Sequence, residues 1–333
     1  MKKTILGIAA LLLFSAAPRM LRAQTYVFDK TIALPGDAGY DYLSIDKINR
    51  RLYVSHGTSV NVIDLDTEQP VGVIDGMKGV HGIAIANKSN HGFISDGRGT
   101  AVVAFDLKTL AIIKTIPVDA KGPDGIIYDP FSDQVFCFNG ESNNSSVIDP
   151  NTLTQVGTVD LGGAPEFAVS DGKGKIYNNL EDKSSLNVID VTTLKVINNY
   201  PLAPCGGPTG IALDAKNNRA FVGCRQNKGM SVVDITTGKV VATIPIGAGV
   251  DAVIYDGARK LVFCSNGDAT TTIIKQESAD TYSVVQTLVT QTRAKTMAFD
   301  PKTNRINLSV PDFETGTRKI VPNSFKVLVY KPQ

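Results

Sequence analysis

Short apolar runs, rich in Val, Ile, Phe and Tyr, recur along the chain and are broken about every ten residues by Gly, Asn and Thr. From Thr209 the runs read TGIALDA, RAFVGCR, GMSVVDI and KVVATIPI, separated by KNNR, QNKG and TTGK. The runs have the composition of strands and the separators that of tight turns. No segment keeps a 3.6-residue period, so a helical repeat of similar length is rejected.

The runs belong to a longer repeat. VHGI, PDGI, PEFA and PTGI share a frame whose second residue changes. That variable slot is Asp41, His81, Asp124, Glu166, Thr209, Asp251 and Lys295, at spacings of 40 to 44 residues. A second marker travels with it: NVIDLDT, VVAFDLKT, SVIDPNT, NVIDVTT and SVVDITTG. Each unit reads as four short strands, and radial repetition of such units is the sequence signature of a β-propeller. The fold class is therefore all-β. Six units are complete, from Asp41 to about Thr290; the seventh starts near Lys295 and lacks its outer strand. FDKTIALPG (Phe28 to Gly36) resembles VVATIPIGAG, so the N-terminal strand is expected to pair with the last blade and close a seven-bladed ring.

RRLYVSHGTSVNVIDLDT and NRAFVGCRQNKGMSVVDITTGKVVATIPIGAGVD resemble the YVTN-type repeat of the YncE-like family of exported seven-bladed propellers. The resemblance runs through the whole mature chain and implies architecture more than activity. The sixth unit departs from it at TIIKQES, the seventh carries the insertion VPDFETGTRKIVPNS, and Trp is absent, which removes the WD signature.

Composition narrows the setting. The chain has 333 residues, a formal charge of +2 and 43% apolar residues, with no basic cluster of the kind nucleic acid requires. Lys2 and Lys3 precede ILGIAALLLFSAA, a run short for a membrane span, and cleavage after Ala23 is expected. Residues 1–23 then form a signal peptide and 24–333 one propeller domain, a periplasmic or secreted monomer. Export permits a disulfide. Cys205 and Cys224 fall on one face of one blade and are expected to pair, whereas Cys137 and Cys264 sit in blades nearly opposite and are expected to be buried thiols.

In a propeller the inner strands line the central channel, so the slot residues are expected to ring its mouth. The second strands end on the same face at His56, Asp96, Asn139, Glu181, Arg225, Asn266 and Asp312, giving a wider ring. Crowded carboxylates disfavour ionisation, and a cation would relieve them. Asp124, Glu166 and Asp251, with His81, are the candidate metal ligands: oxygen ligands alone suit Ca²⁺ or Mg²⁺, and imidazole with carboxylate suits Zn²⁺. A wet channel of solvated polar groups is the bland alternative. Asp41, Asp96, Asn139, Arg225, Asn266 and Lys295 are candidate contacts to a small-molecule, peptide or protein ligand. His81, with His56 behind it, is the candidate proton carrier, while His91 belongs to the opposite face.

Two functions compete: a non-enzymatic binding propeller, and a divalent-metal-dependent hydrolase or lyase of broadly lactonase-like kind on the same face. No G-x-S-x-G, Walker or dinucleotide frame occurs in the required context. A copper or quinone site is disfavoured because only two histidines face the right way.

Overall fold

The computed structural model describes residues 25–36 and 38–333; the expected leader lies outside the described residues. Seven four-stranded antiparallel sheets form the blades of a seven-bladed β-propeller. The first six begin at Tyr40, Val80, Pro123, Pro165, Pro208 and Val250, each running through its four strands in chain order. The seventh takes Met297–Asp300, Arg305–Val310 and Lys326–Pro332 from the C-terminal end and Tyr26–Ala33 from the N-terminal end. Phe28 pairs with Tyr330 and Ala33 with Lys326, so the first strand supplies the missing outer edge.

The burial pattern explains why the runs are strands rather than helices. Second and third strands are apolar on both faces because each blade packs between two others; Arg51–His56 and Ser59–Asp64 are buried over most of their length. Outer strands such as Gln69–Ile74 are mostly exposed. One cluster joins Tyr53, Val60 and Val62 of blade 1 to Ile83, Ile94 and Phe105 of blade 2. Core is therefore made between blades, and ring closure is needed to complete it.

The VID marker is a turn device. Asp64, Asp106, Asp149, Asp190 and Asp234 each accept hydrogen bonds from backbone N–H groups two and three residues on, at 2.7 to 3.3 Å. The same bonds, and for Asp234 chiefly the Thr236 hydroxyl, hold these carboxyls below the usual aspartate range.

Cys205 and Cys224 form a disulfide across blade 5, with Cα atoms 5.1 Å apart, and Cys137 and Cys264 are buried thiols. The bond ties residues 19 apart, and closing a loop of that size stabilises by about 3 kcal/mol. The Cys205→Ala/Cys224→Ala variant is expected to lose about that much in urea unfolding of oxidised protein. An unchanged midpoint and slope would show that the cross-link does not constrain the unfolded chain.

Candidate functional site

The slot residue occupies a register break. In blades 1 to 6 the first inner-strand residue pairs with the end of the second strand, and pairing then skips before resuming. The skipped residues begin with Asp41, His81, Asp124, Glu166, Thr209 and Asp251. Such a bulge bends the strand and re-aims a side chain, here toward the channel mouth. Blades then fix their neighbours' bulges. Ser95 donates to the carbonyl of Asp124, Asn179 to that of Thr209 at 2.6 Å, and Ser265 to that of Lys295.

Three consecutive blades bring Asp41, His81 and Asp124 together, with one ligand atom of each within 4.8 Å of the others. His81 Nδ1 lies 2.7 Å from Asp41 Oδ2 and 3.5 Å from Asp124 Oδ1. Donor atoms at about 2.1 Å from a metal ion, in octahedral or tetrahedral array, stand about 3.0–3.4 Å apart, so little movement would admit one. Asp124 Oδ1 is buried without a hydrogen-bond partner, which is costly for a carboxylate and marks an unmet demand for a cation or donor. The other side of the imidazole faces backbone: a Cβ on Gly97 would lie 2.9 Å from His81 Nε2 and from the carbonyl of Pro123. Glycine there lets the ring sit flat in its cradle.

Blades 4 to 7 carry a second group. Arg225 donates to Glu181 at 2.8 Å and to Asp251 at 2.7 Å, and Lys295 donates to Asp251 at 2.8 Å. Burial opposes the charges of Arg225 and Lys295, but Asp251 chiefly outweighs it and both stay above their ordinary ranges. Between the groups, Tyr42 of blade 1 meets Phe167 of blade 4 with ring centroids 4.4 Å apart. Rings reaching each other from blades this far apart must cross the channel, so the mouth is backed by an aromatic bridge.

Protonation follows from this packing. Burial, reinforced by the Asp41 charge, pushes Asp124 up to about 7. Burial, a hydrogen bond shared with Glu181 and the Asp124 charge push Glu166 up to about 9. The bond to Asp41 raises His81 despite desolvation. A carboxyl whose pKa is raised by folding contributes stability that is complete below its unfolded value and lost as pH climbs through its folded value. For Glu166 that window runs from about pH 4.5 to about 9. Glu166→Gln is therefore expected to flatten the decline of Tm of metal-free protein between pH 5 and pH 9, making the variant relatively more stable at pH 9. Parallel Tm profiles would contradict this placement of the proton.

The remaining expected residues are not at the triad. Glu166 and Asp251, expected as metal ligands, are engaged by Glu181 and by Arg225 with Lys295 respectively. His56 stacks on Phe325 at 3.9 Å and its Nε2 accepts the Ala38 N–H at 3.0 Å, so it braces a loop. Asp96 accepts from the N–H groups of Lys78, Gly79 and Gly99. Asn139 bonds Asn144 and Ser146, and Asn266 bonds Thr270 and Thr272, all inside their own blades. Thr209 is buried and donates to the carbonyl of Val250, away from the ring expected of it. His91 contacts Pro150 away from the mouth. The blade 7 insertion folds back on the end of blade 6, where Gln291 donates to Asp312 and Arg293 lies 4.4 Å over the Phe313 ring. Sequence reasoning missed Tyr42 and Phe167, although both follow a slot residue at the frame position where Gly82, Gly125 and Gly210 stand, and it missed Lys78 and Arg98 in the loops.

Fold and site together define a seven-bladed propeller with a charged, partly desolvated channel mouth. No family model matches the chain. Over 86 residues, 26% of the chain, it is 36% identical to Antigen Lp49 of Leptospira interrogans, and that stretch is 19% of the antigen's length. The match thus spans about a fifth of that protein.

Proposed function

We propose that this chain is an exported binding propeller of YncE-like type that holds a divalent metal ion at Asp41, His81 and Asp124 and uses it to take up a ligand at the channel mouth. The observation that carries this reading is the triad itself: one imidazole and two carboxylates from three blades, with Asp124 Oδ1 buried, without a hydrogen-bond partner and 3.5 Å from the imidazole. Mixed nitrogen and oxygen donors favour Zn²⁺ or Mn²⁺ over Ca²⁺, which takes more oxygen ligands. Export is supported by the leader-like first residues and by the Cys205–Cys224 disulfide, a bond suited to oxidising compartments. YVTN-type phrases in the repeat support the family reading.

Elemental analysis of the mature protein, purified without chelator, tests the proposal. One equivalent of a transition metal, removable by chelator and restored by titration, is the expected result. Absence of metal, together with no Tm change on adding Zn²⁺ or Mn²⁺, would end it.

A metal-dependent hydrolase or lyase is the second reading. It is favoured by the three-ligand set, which leaves positions open for water and substrate, and by Glu166, which keeps a proton at neutral pH on the same mouth. Lactone or ester turnover that follows zinc content would move the function to this class.

A further inference from the structure

On the mouth face a cavity of about 280 Å³ lies between blades 1 and 2, lined by Asp41, His81, Gly57, Gly79, Lys78 and Arg98 among others. Its inner members are two of the three triad residues. Its cations differ from those elsewhere on the mouth. Arg225 and Lys295 are tied to carboxylates, whereas neither Lys78 Nζ nor the Arg98 guanidinium has an ion-pair or hydrogen-bond partner among the described residues. Two unpaired cations beside a metal-ligand set form a field that attracts an anion.

The cations are also held in place. Asp96 accepts from Lys78 N at 3.0 Å and Gly79 N at 2.7 Å on one loop, and from Gly99 N at 3.1 Å on the other. One buried carboxylate therefore ties together the loops that bear Lys78 and Arg98. The Arg98 stem lies against Gly79, where a Cβ would stand 2.9 Å from Cγ and 3.1 Å from Cδ. Glycine lets the stem lie close, and a stem already positioned loses less entropy when its fork binds.

We propose that this groove is the subsite for the phosphate of a small phosphomonoester, with Lys78 and Arg98 holding the phosphate and one of its oxygens directed to the ion at Asp41 and His81. The proposal rests on the metal reading above. Charge selects the class: two carboxylates balance a divalent ion, and the two remaining cations match a phosphate dianion better than a carboxylate. Size limits the ligand to a small one, since about 280 Å³ lies just below the usual range of small-molecule sites. Arg supplies a planar fork and Lys a point charge, the pairing suited to phosphate oxygens.

Calorimetric titration of phenyl phosphate and of benzoate into zinc-loaded protein, metal-free protein and the Lys78→Ala/Arg98→Ala variant tests it. Both side chains are exposed, so the variant is expected to fold and to keep its zinc equivalent. Phenyl phosphate should bind zinc-loaded protein at least tenfold more tightly than benzoate, and at least tenfold more tightly than it binds the zinc-loaded variant. Equal binding by protein and variant overturns the groove, and equal binding of the two anions overturns the phosphate assignment. If the protein takes up no zinc, the metal reading fails by itself. A tenfold gap between metal-free protein and variant then still supports the groove, and no gap overturns it.

Discussion

Asp124→Asn is expected to lower the affinity for a divalent ion by more than about 100-fold, since displacing even an outer-sphere partner of a ligand costs 10–100-fold. The amide keeps the shape of the side chain but removes the charge and leaves one oxygen where the carboxylate had two, one of them buried without a hydrogen-bond partner. The same change should leave the fold intact or more stable at neutral pH, because it removes a carboxyl that burial and the neighbouring Asp41 charge push up to about 7. Metal affinity and fold stability should thus move apart. A damaged fold would lose both, and undiminished zinc affinity in the variant would remove Asp124 from the ligand set. Gly97→Ala offers a check that leaves all three ligand side chains in the sequence. Its methyl would meet the His81 ring and the carbonyl of Pro123, so the imidazole must shift and affinity should fall by about 10–100-fold.

How far such a site can be read from sequence depends on what the repeat enforces. The propeller repeats its bulge in each of the first six blades, so the slot residues are legible as a set. The pairing of Phe28 with Tyr330 is legible for the same reason, because an outer strand has a pattern and one copy was missing. Which side chain then points at the axis is decided by local demand for hydrogen bonds. The second ring is misread by one residue in two blades: Leu180 and Cys224 hold the strand-end position of Asp96, and Glu181 and Arg225 lie one residue further on, so Asp96 is consumed by three loop N–H groups while Glu181 reaches Arg225. His56 is likewise taken by the Ala38 N–H and the Phe325 ring. Tyr42 and Phe167 share one frame position, filled by Gly in three other units, but the repeat does not tell that the two rings meet across the channel. Lys78 and Arg98 lie in loops outside the frame, where exposed charge is ordinary until a cavity is seen between them.

Loss of Arg50 is expected to be the most damaging single change to the fold at a charged position. Its guanidinium makes two bonds of 2.7 Å to the two oxygens of Asp300 and one of 3.1 Å to Asp66. Arg50 belongs to blade 1 and Asp300 to blade 7, so the pair lies across the seam where the ring closes. Asp300 is 1% exposed, and removing its partner strands a buried charge, at a cost of about 3–5 kcal/mol. Thr303 Oγ1 and the Lys302 N–H still bond Asp300, which places the expected loss at the lower end of that range. Arg50 has φ of 55°, a conformation Asn tolerates and adopts at positions 90, 218 and 304, so Arg50→Asn removes the ion pair without adding backbone strain. The pH profile gives a second reading. Burial works against the Asp300 charge, yet the Arg50 bonds hold its pKa down to about 2. A depressed carboxyl contributes stability that is full above its unfolded value near 3.8 and lost as pH falls through about 2. Arg50→Asn should therefore unfold at a lower urea concentration at pH 7 and begin acid unfolding at a higher pH. Arg50→Met/Asp300→Leu should recover much of the loss at pH 7, because it removes the stranded charge along with the pair. A double variant no better than Arg50→Asn would show that the loss comes from the bonds Asp300 accepts from Lys302 and Thr303 rather than from a stranded charge, and the seam would then rest on the apolar cluster shared by blades 1 and 7 and on the Arg305–Glu68 and Lys302–Asp66 pairs.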